Sequence, residues 1–334
     1  MSSLHPVDGT AAEILALLRE WDAVADPPPL VVATSGSTGA PKRVLLSRAA
    51  MRASADATHT RLGGPGQWLL TLPPSYVAGL QVLFRSVRAG TDPVEEPADL
   101  TGERRYVSVV PTQLVRALDG DPTWLRGFDT VLVGGARLDE GLRERAEAAG
   151  VHVVATYGMS ETCGGCVYDG RPLDGVTVDT GSDGRIRLGG PVVFDGYQGD
   201  PALTAEVLQY GWFVTQDVGR VDEDGTLQVL GRVDDVLVSG GLNVPAGAVA
   251  GRLREHPGVR EAEVVGAPHD EWGQEVVAVV ATEDGDLDLD ELRDWVAAAH
   301  PRAWAPRRVV AVGTLPLLAN GKVDRVAVER LARG

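Results

Sequence analysis

Lysine is almost absent from this sequence. Of its 31 lysine and arginine residues, only Lys42 and Lys322 are lysines. A lysine ammonium is a compact, rotatable charge, whereas an arginine guanidinium is a planar fork. We therefore expect the two remaining lysines to occupy sites that require the ammonium. Chance survival at two surface positions is the alternative.

Cysteine and long apolar runs are also scarce, and no signal peptide is recognisable at the start. Cys163 and Cys166 are the two cysteines, and no second pair of Cys or His lies nearby to complete a four-ligand zinc site. No apolar run approaches the roughly 18 residues that a membrane helix needs. These absences argue against a secreted disulfide-stabilised protein and against a membrane protein. We expect a cytoplasmic protein with reduced thiols.

Positive charge is in deficit. The sequence has 47 acidic residues against 31 basic ones, a net charge of -16. Nucleic acids and anionic membranes are bound through clustered lysine and arginine, so neither is an expected partner. Small anionic substrates are still allowed, because a few local cations suffice when distant carboxylates are screened beyond about 8 Å.

The order of apolar segments predicts an α/β fold. The 334 residues, 44% of them hydrophobic, are enough for about two domains. Short apolar runs alternate with amphipathic segments, as in a layered α/β domain. Strands are predicted at residues 30–33, 67–72, 106–110, 130–133 and 151–155, and helices at residues 11–24, 77–89, 112–118 and 138–149.

The second half of the chain has a different pattern. From residue 175, short strands separated by Gly and Asp predict a small β subdomain, and a domain boundary is predicted near residues 232–235. The predicted domains are residues 1–233 and 234–334. The β subdomain has predicted strands at residues 186–188, 192–197 and 227–230, and the C-terminal domain has helices at residues 249–255 and 289–300 and strands at residues 259–266 and 275–282.

A loop rich in hydroxyl groups and glycine, closed by a lysine, occupies residues 34–42. Glycines let backbone N–H groups approach phosphate oxygens, hydroxyls add donors and the lysine adds charge. It is not a Walker A loop, because Ala40 and Pro41 separate the last glycine from the lysine. A flexible surface loop is the alternative. The candidate binding residues are Thr34, Ser35, Gly36, Ser37, Thr38, Gly39 and Lys42.

This nine-residue string resembles the phosphate-binding signature of the adenylate-forming superfamily, which contains acyl-CoA ligases, peptide-synthetase adenylation domains and luciferases. The resemblance implies a large N-terminal α/β domain with a small β subdomain, followed by a small mobile α+β C-terminal domain. Because the first motif begins as early as Thr34, we expect the N-terminal domain to be truncated.

Residues 157–162 follow a predicted strand, a place where ligands commonly bind in α/β sheets. They resemble the aromatic-Gly-x-Ser/Thr-Glu motif of the same superfamily. The resemblance implies that Tyr157 stacks on adenine beside Gly158, that Ser160 contacts the α-phosphate, and that Glu161 binds Mg2+ as a hard oxygen ligand. An isolated glutamate and a core tyrosine are the alternatives.

Two shorter segments resemble other nucleotide-binding parts of the superfamily. Gly134, Gly135 and Ala136 resemble the adenine-side loop, where the lack of side chains lets the base approach the backbone; an ordinary turn is the alternative. Asp217 stands where the superfamily has an aspartate that binds both ribose hydroxyls. Gln216 departs from the usual glycine before it.

Residues 231–243 resemble the superfamily hinge motif. The resemblance implies that Arg232 contacts the nucleotide, that Asp234 is the hinge, and that Gly240 and Gly241 lie against coenzyme A. Glycines suit a segment whose backbone changes conformation close to a ligand.

Residues 317–325 resemble the terminal motif, whose lysine reaches the active site during adenylation. That lysine is Lys322. Both lysines of the sequence therefore fall inside superfamily motifs, and a catalytic role is implied for Lys322 together with Glu161 and Ser160.

Residues 74–81, 110–114 and 163–174 resemble the short bacterial o-succinylbenzoate-CoA ligases. That resemblance implies ligation of 2-succinylbenzoate to coenzyme A through an acyl-adenylate, with ATP and Mg2+, in menaquinone biosynthesis. Another aryl- or acyl-CoA ligase, an enzyme that loads a carrier protein, and a non-catalytic nucleotide-binding protein are the alternatives. The sequence leaves open whether the protein is a homo-oligomer.

The residues expected on the acyl side of the site lie on one predicted helix and directly before it. Tyr76 stands where many superfamily members have histidine, and Ser239 stands where many have lysine. Gly79 and Arg85 complete the substrate candidates. A dicarboxylate needs a cation for its distal carboxylate, and Arg85 is the candidate, with a surface helix residue as the alternative.

Overall fold

The computed structural model describes residues 5–34, 42–282, 287–316 and 323–334. The chain divides into two compact units: the first comprises Met1–Asp179, Arg187–Thr215 and Val221–Gln228, and the second comprises Thr180–Ile186, Gln216–Arg220 and Val229–Gly334. In the residues described, no helix has both the length and the apolar character of a membrane span.

Helices and strands alternate in the first half of the chain and strands dominate afterwards. The helices are α1 (Ala11–Ala23), α2 (Arg48–Arg61), α3 (Val77–Ala89), α4 (Pro111–Asp119), α5 (Glu140–Ala148), α6 (Pro201–Val207), α7 (Ala246–Arg254), α8 (Leu289–Ala297) and α9 (Arg325–Arg333). The strands are β1 (His5–Pro6), β2 (Leu30–Ala33), β3 (Arg43–Leu46), β4 (Gln67–Leu69), β5 (Arg105–Val109), β6 (Thr130–Val133), β7 (Val153–Met159), β8 (Gly164–Tyr168), β9 (Arg171–Pro172), β10 (Thr177–Thr180), β11 (Arg185–Gly189), β12 (Gly196–Tyr197), β13 (Leu208–Gln209), β14 (Trp212–Val221), β15 (Leu227–Arg232), β16 (Val236–Ser239), β17 (Leu242–Pro245), β18 (Glu261–His269), β19 (Gly273–Ala281) and β20 (Arg308–Val312).

The main sheet of the first unit has the order β4–β5–β6–β7–β8–β9. Strands β4 to β7 are parallel to one another, β8 is antiparallel to β7, and β9 is antiparallel to β8. Parallel neighbours need long crossovers, and these contain α3, α4 and α5. Val107, Val131 and Val153 pack with Leu114 and Leu142 of the covering helices in one buried cluster. The predicted α/β domain is confirmed.

A small sheet in the same unit has the order β1–β2–β3–β12. β2 and β3 are antiparallel and flank the glycine-rich loop, while β12 pairs with β3 so that Tyr197 lies opposite Val44. This register brings a segment distant in sequence next to the end of the loop.

The β subdomain contains a sheet of order β10–β11–β14–β13, in which β15 also pairs with β14. The strand predicted at residues 192–197 is wrong over most of its length, since only Gly196 and Tyr197 are in a strand. Before them the backbone turns: the N–H of Val193 donates to the carbonyl of Gly190, and that of Phe194 donates to the carbonyl of Glu161.

The second unit contains a sheet of order β17–β16–β19–β18, with β20 parallel to β19. One face packs against α7 and α8 through residues such as Val264 and Val276, and the other packs against α9 through residues such as Val277 and Val279. Because both faces are covered, successive β19 residues from Val276 onwards are buried. This explains the unbroken apolar run in the sequence there.

Candidate active site

The glycine-rich loop is held closed at its base. The N–H of Thr34 donates to the carbonyl of Lys42 over 2.9 Å, which joins the ends of β2 and β3. Thr34 and Lys42 are therefore adjacent. The other predicted phosphate-binding residues, Ser35, Gly36, Ser37, Thr38 and Gly39, lie outside the described residues.

Lys42 and Glu161 meet around a tyrosine that sequence reasoning missed. The ammonium of Lys42 lies 5.3 Å from the centre of the Tyr197 ring. The hydroxyl of Tyr197 donates to Oε1 of Glu161 over 2.7 Å. Burial, and secondarily the Glu161 carboxylate, raises the pKa of Tyr197, so its hydroxyl stays a donor. No local pattern signals this contact, because it depends on the pairing of β12 with β3.

The expectation that residues 157–162 follow the end of a strand is wrong for residues 157–159, which belong to β7, and is confirmed for Ser160–Thr162, which form the turn after it. β7 continues through Met159, with Tyr157 paired antiparallel to Val167 of β8. The register shifts at Gly158, where a Cβ would lie 2.1 Å from the carbonyl oxygen of Gly164. Only glycine fits so close to the neighbouring strand.

A short 3-10 turn, Ser160–Thr162, then presents the polar side chains. The hydroxyl of Thr162 is buried and bonds the carbonyls of Met159 and Gly164, which fixes the turn. Ser160 and Glu161 are half-buried at its start. The turn therefore holds both candidate residues in one orientation at the end of β7.

Gly134 and Gly135 follow β6, the parallel neighbour of β7. A Cβ on Gly134 would lie 2.5 Å from Oγ1 of Thr156, and Gly135 has a φ of +80°. Because β6 and β7 are parallel, the turn at Gly134–Ala136 and the segment at Tyr157 extend from the same edge of the sheet. Two of the predicted adenine-side segments thus come together, with glycine required at the first.

The acyl-side candidates lie along α3, but in contrasting surroundings. Tyr76 precedes the helix and is 49% exposed. A Cβ on Gly79 would lie 2.2 Å from the carbonyl oxygen of Pro73, so glycine is needed for the helix to approach that backbone. Gln81 donates from Nε2 to the carbonyl of Cys163 over 2.7 Å, which ties α3 to the segment just after Glu161.

Arg85 lies one helical turn further and is 3% exposed, which excludes the alternative of a surface helix residue. Its guanidinium lies 5.0 Å from the Trp68 ring, and one nitrogen donates to the Tyr168 hydroxyl over 3.4 Å. Its Nε has no partner, and no carboxylate of the described residues forms an ion pair with it. Burial lowers the pKa of Arg85, and burial and the Arg85 charge lower the pKa of nearby His59 to about 4.

The two cysteines are buried and free. Burial raises the pKa of both thiols, that of Cys166 to about 12. Both are therefore protonated at neutral pH and poor nucleophiles.

In the second unit, Arg232 lies between two acidic candidates. Its guanidinium is 3.8 Å from a carboxylate oxygen of Asp217 and 3.5 Å from one of Asp234. The ribose candidate, the nucleotide candidate and the hinge candidate are thus brought together. Asp235 forms an ion pair with Arg325, three residues beyond Lys322, which itself lies outside the described residues.

The predicted coenzyme A turn has the backbone that glycine favours. Gly240 and Gly241 have φ values of +58° and +77°, and a Cβ on Gly240 would lie 2.7 Å from the Trp272 ring. The Trp272 ring also lies 3.7 Å from the Arg307 guanidinium. Ser239, the departure from the usual lysine, is buried.

The chain matches protein families and curated sequences. The AMP-binding enzyme family matches residues 19–195, and the AMP-binding enzyme C-terminal domain matches residues 249–322. The chain is 43% identical to a probable 2-succinylbenzoate-CoA ligase of Mycobacterium tuberculosis, over 96% of this chain and 89% of that protein. It is 32% identical to the 2-succinylbenzoate-CoA ligase of Listeria monocytogenes, over 95% of this chain and 72% of that protein.

Solved structures have the same fold. The o-succinylbenzoate CoA synthetase of Bacillus subtilis, in complex with the acyl-adenylate intermediate OSB-AMP, matches with a TM-score of 0.73 at 28% identity, over 92% of this chain and 69% of that one. The amide bond synthetase McbA of Marinactinospora thermotolerans matches with a TM-score of 0.74 at 30% identity, over 91% and 69%. From the family matches and the identity along nearly its whole length, the chain belongs to the AMP-binding enzyme family and, within it, to the 2-succinylbenzoate-CoA ligases.

Proposed function

We propose that the protein ligates 2-succinylbenzoate to coenzyme A with ATP, forming succinylbenzoyl-CoA, AMP and pyrophosphate in menaquinone biosynthesis. The observation that carries the proposal is the 43% identity to a ligase of that name over 96% of the chain. The cluster of Lys42, Tyr197 and Glu161 supports it, since a cation and a carboxylate held beside a glycine-rich loop suit a metal-bound polyphosphate.

The reaction has two balanced steps. A carboxylate oxygen of the acid attacks the α-phosphorus of ATP, and the bond to pyrophosphate breaks. The coenzyme A sulfur then attacks the acyl carbon, the bond to AMP breaks, and the thiol proton leaves to solvent. Negative charge shifts in both steps, so fixed cations and donors lower the barriers.

The nucleotide side of the site is proposed as follows. Residues 34–39 and Lys42 hold the β- and γ-phosphates, Ser160 contacts the α-phosphate, and Lys322 stabilises charge on the reacting oxygens. The adenine and ribose are bound by Gly134, Gly135, Ala136, Tyr157, Gly158, Asp217 and Arg232. Support for the adenine side comes from the glycine at residue 134, where a side chain would collide with Thr156.

Glu161 is proposed as the protein ligand of Mg2+. Among the described residues no group of three or more His, Cys, Asp or Glu side chains could hold a metal ion by itself. Magnesium at nucleotides typically takes one or two carboxylates together with phosphate oxygens, and Glu161 has one oxygen, Oε2, with no partner in the described part of the chain. The residues fit such a site, where the ion neutralises phosphate charge.

Arg85 is proposed to bind the carboxylate of the substrate that does not react. A buried guanidinium is costly when it lacks a carboxylate partner, and the described residues supply none to Arg85; a ligand carboxylate would compensate this cost. Arg85 also lies on the same helix as Gln81, which bonds the segment following Glu161. Tyr76 and Gly79 are proposed to border the acyl group.

The remaining assignments concern the second reaction step. Residues 1–233 and 234–334 are proposed to be the two domains, with Asp234 as the hinge. Gly240 and Gly241 are proposed to lie along coenzyme A, and the positive φ at both residues supports a turn without side chains there. A cytoplasmic location is proposed from the sequence.

The test is release of AMP and pyrophosphate from ATP, with 2-succinylbenzoate and a panel of benzoates and fatty acids. Each acid is assayed alone, with coenzyme A, with a phosphopantetheinyl carrier protein and with simple amines. Coenzyme A-dependent turnover confined to 2-succinylbenzoate supports the proposal. Turnover with another acid discards the substrate, and acyl transfer to the carrier protein or an amine in preference to coenzyme A discards the reaction.

A further inference from the structure

Tyr197 contacts both of the charged groups proposed to serve the phosphates, yet neither the sequence motifs nor the proposed chemistry assigns it a role. Its hydroxyl donates to Oε1 of Glu161 over 2.7 Å, and its ring lies 5.3 Å from the Lys42 ammonium. Tyr197 as a residue is 6% exposed. A buried aromatic side chain therefore connects the end of the glycine-rich loop to the proposed metal ligand.

The position of Tyr197 is fixed from several sides. Its backbone N–H donates to Oγ1 of Thr204 over 2.9 Å, and its ring packs edge-on against Phe194 at 4.9 Å. The Phe194 N–H in turn donates to the carbonyl of Glu161 over 2.9 Å. One short segment thus holds both the main chain and the side chain of Glu161.

We infer that Tyr197 is a positioning residue that orients Glu161 for Mg2+, an inference that rests on the proposed function. The hydroxyl bonds Oε1, and Oε2 has no partner among the residues that the structure describes, so the carboxylate is oriented to bind the ion through one oxygen. The ring gives the Lys42 ammonium an aromatic partner, and among the described residues Lys42 and Glu161 form no ion pair. Both charges therefore stay available to the nucleotide and its metal.

Removing the hydroxyl with Tyr197→Phe tests the inference while keeping the ring beneath Lys42. The probe is Mn2+, with α,β-methylene-ATP to prevent turnover, and free Mn2+ is measured by electron paramagnetic resonance. We expect the dissociation constant of Mn2+ to rise about tenfold, the lower end of the usual effect of losing a residue that hydrogen-bonds and orients a metal ligand. The KM for Mg2+ rises with it, and kcat at saturating Mg2+ changes by less than about twofold.

Tyr106→Phe is the matched control, because Tyr106 is also buried and its hydroxyl lies within hydrogen-bond distance of the carbonyls of Leu62 and Gly64. It is expected to bind Mn2+ like the wild type. Tyr197→Phe is also combined with Glu161→Gln. If the Tyr197 hydroxyl acts through the Glu161 carboxylate, Tyr197→Phe should cause no further loss of Mn2+ affinity in the Glu161→Gln variant.

Two results overturn the inference alone: wild-type Mn2+ affinity in Tyr197→Phe, or a further loss in the Glu161→Gln background. A wild-type protein without a nucleotide-dependent Mn2+ site would instead overturn the proposed magnesium role of Glu161, and the inference with it. Circular dichroism and thermal unfolding of each variant establish that the fold is kept.

Discussion

Arg85 and Arg232 are both predicted ligand-binding arginines, but their surroundings are opposite. Arg85, in the first unit, is 3% exposed, and no carboxylate of the described residues pairs with it. The Arg232 side chain, in the second unit, is 42% exposed and lies within 4 Å of two carboxylates, those of Asp217 at 3.8 Å and Asp234 at 3.5 Å.

The difference bears on what each arginine can do. The Asp234 side chain is 64% exposed, and an exposed ion pair contributes less than about 1 kcal/mol, so Arg232 can exchange Asp234 for a nucleotide at little cost. A buried guanidinium cannot recover its hydration by a small movement and depends on whatever acceptor reaches it. Arg85 therefore suits recognition of one fixed group, and Arg232 suits a site whose partners change during the reaction.

The largest effect is expected from Arg85→Met, which removes the charge and keeps an unbranched apolar side chain. Hydrogen bonds to charged groups contribute about 1.5–3 kcal/mol, so kcat/KM with 2-succinylbenzoate should fall about tenfold to hundredfold. The analogue that lacks the non-reacting carboxylate should be a poor substrate, and its kcat/KM should be the same for the wild type and Arg85→Met. Steady-state kinetics with both acids measure this.

Stability separates this role from a structural one. Replacing an unpaired buried charge by an apolar side chain is often neutral or stabilising, so the unfolding midpoint of Arg85→Met should not decrease. An equal loss of kcat/KM with both acids, or a lower midpoint, would contradict substrate recognition by Arg85.

The next effect concerns His59, which is 7% exposed beside Arg85. Burial and Arg85 lower its pKa from 6.5 to about 4; Arg88 acts in the same direction and Asp56 opposes it. Because the folded pKa lies below the unfolded one, the stability contribution is complete above pH 6.5 and is lost as the pH falls towards 4. When the pH is lowered from 7.5 to 5, protonation of His59 should lower the free energy of unfolding by about 2 kcal/mol.

Urea unfolding of the wild type and His59→Leu at both pH values measures that contribution. Only the difference between the two proteins counts, because the other titrating groups are common to both. The variant should lose less stability on acidification. Parallel losses would mean that His59 keeps an ordinary pKa despite the Arg85 charge.

Local patterns predict the elements of the fold well. The helix predicted at residues 77–89 has the observed bounds of α3, because its apolar period is clear and Gly90, with a φ of +69°, can end it. The strand at residues 30–33 is likewise confirmed. The strand at residues 151–155 instead runs on to Met159, since its second half pairs with β8, which local sequence does not reveal.

Within the site, sequence patterns select residues but not their surroundings. The hinge and ribose candidates, Asp234 and Asp217, each lie within 4 Å of Arg232 in the second unit. The contact of Tyr197 with Glu161 and the burial of Arg85 against Tyr168 depend on pairings between segments tens of residues apart. Such pairings leave no periodic pattern in the sequence.

A smaller effect is expected from Asp217→Asn. The proposed ribose bonds keep their geometry but lose a charged acceptor, so the KM for ATP should rise about tenfold with kcat little changed. Arg232 keeps Asp234 as a partner, and stability should change by less than about 1 kcal/mol. Acid-dependent exchange of labelled pyrophosphate into ATP measures the KM, and Asp183→Asn, an acidic turn residue of the same unit, is the control. An unchanged KM would remove the ribose assignment.

The smallest effect should come from Asp234→Pro. This variant tests whether the Asp234 partner of Arg232 lies in a segment whose backbone moves during the reaction. Asp234 lies in a short 3-10 turn, Val233–Asp235, and proline restricts both its own φ and the conformation of the residue before it. If the backbone here changes between the two reaction steps, proline should slow thioester formation several-fold more than adenylation. Pyrophosphate exchange reports the first step, and single-turnover transfer from purified acyl-adenylate to coenzyme A reports the second.

Asp234→Ala removes the same carboxylate from Arg232 without restricting the backbone, so it should slow both steps little. Equal losses in both steps with proline would assign Asp234 a static role like that of Arg85, and the contrast between the two arginines would then reflect exposure alone.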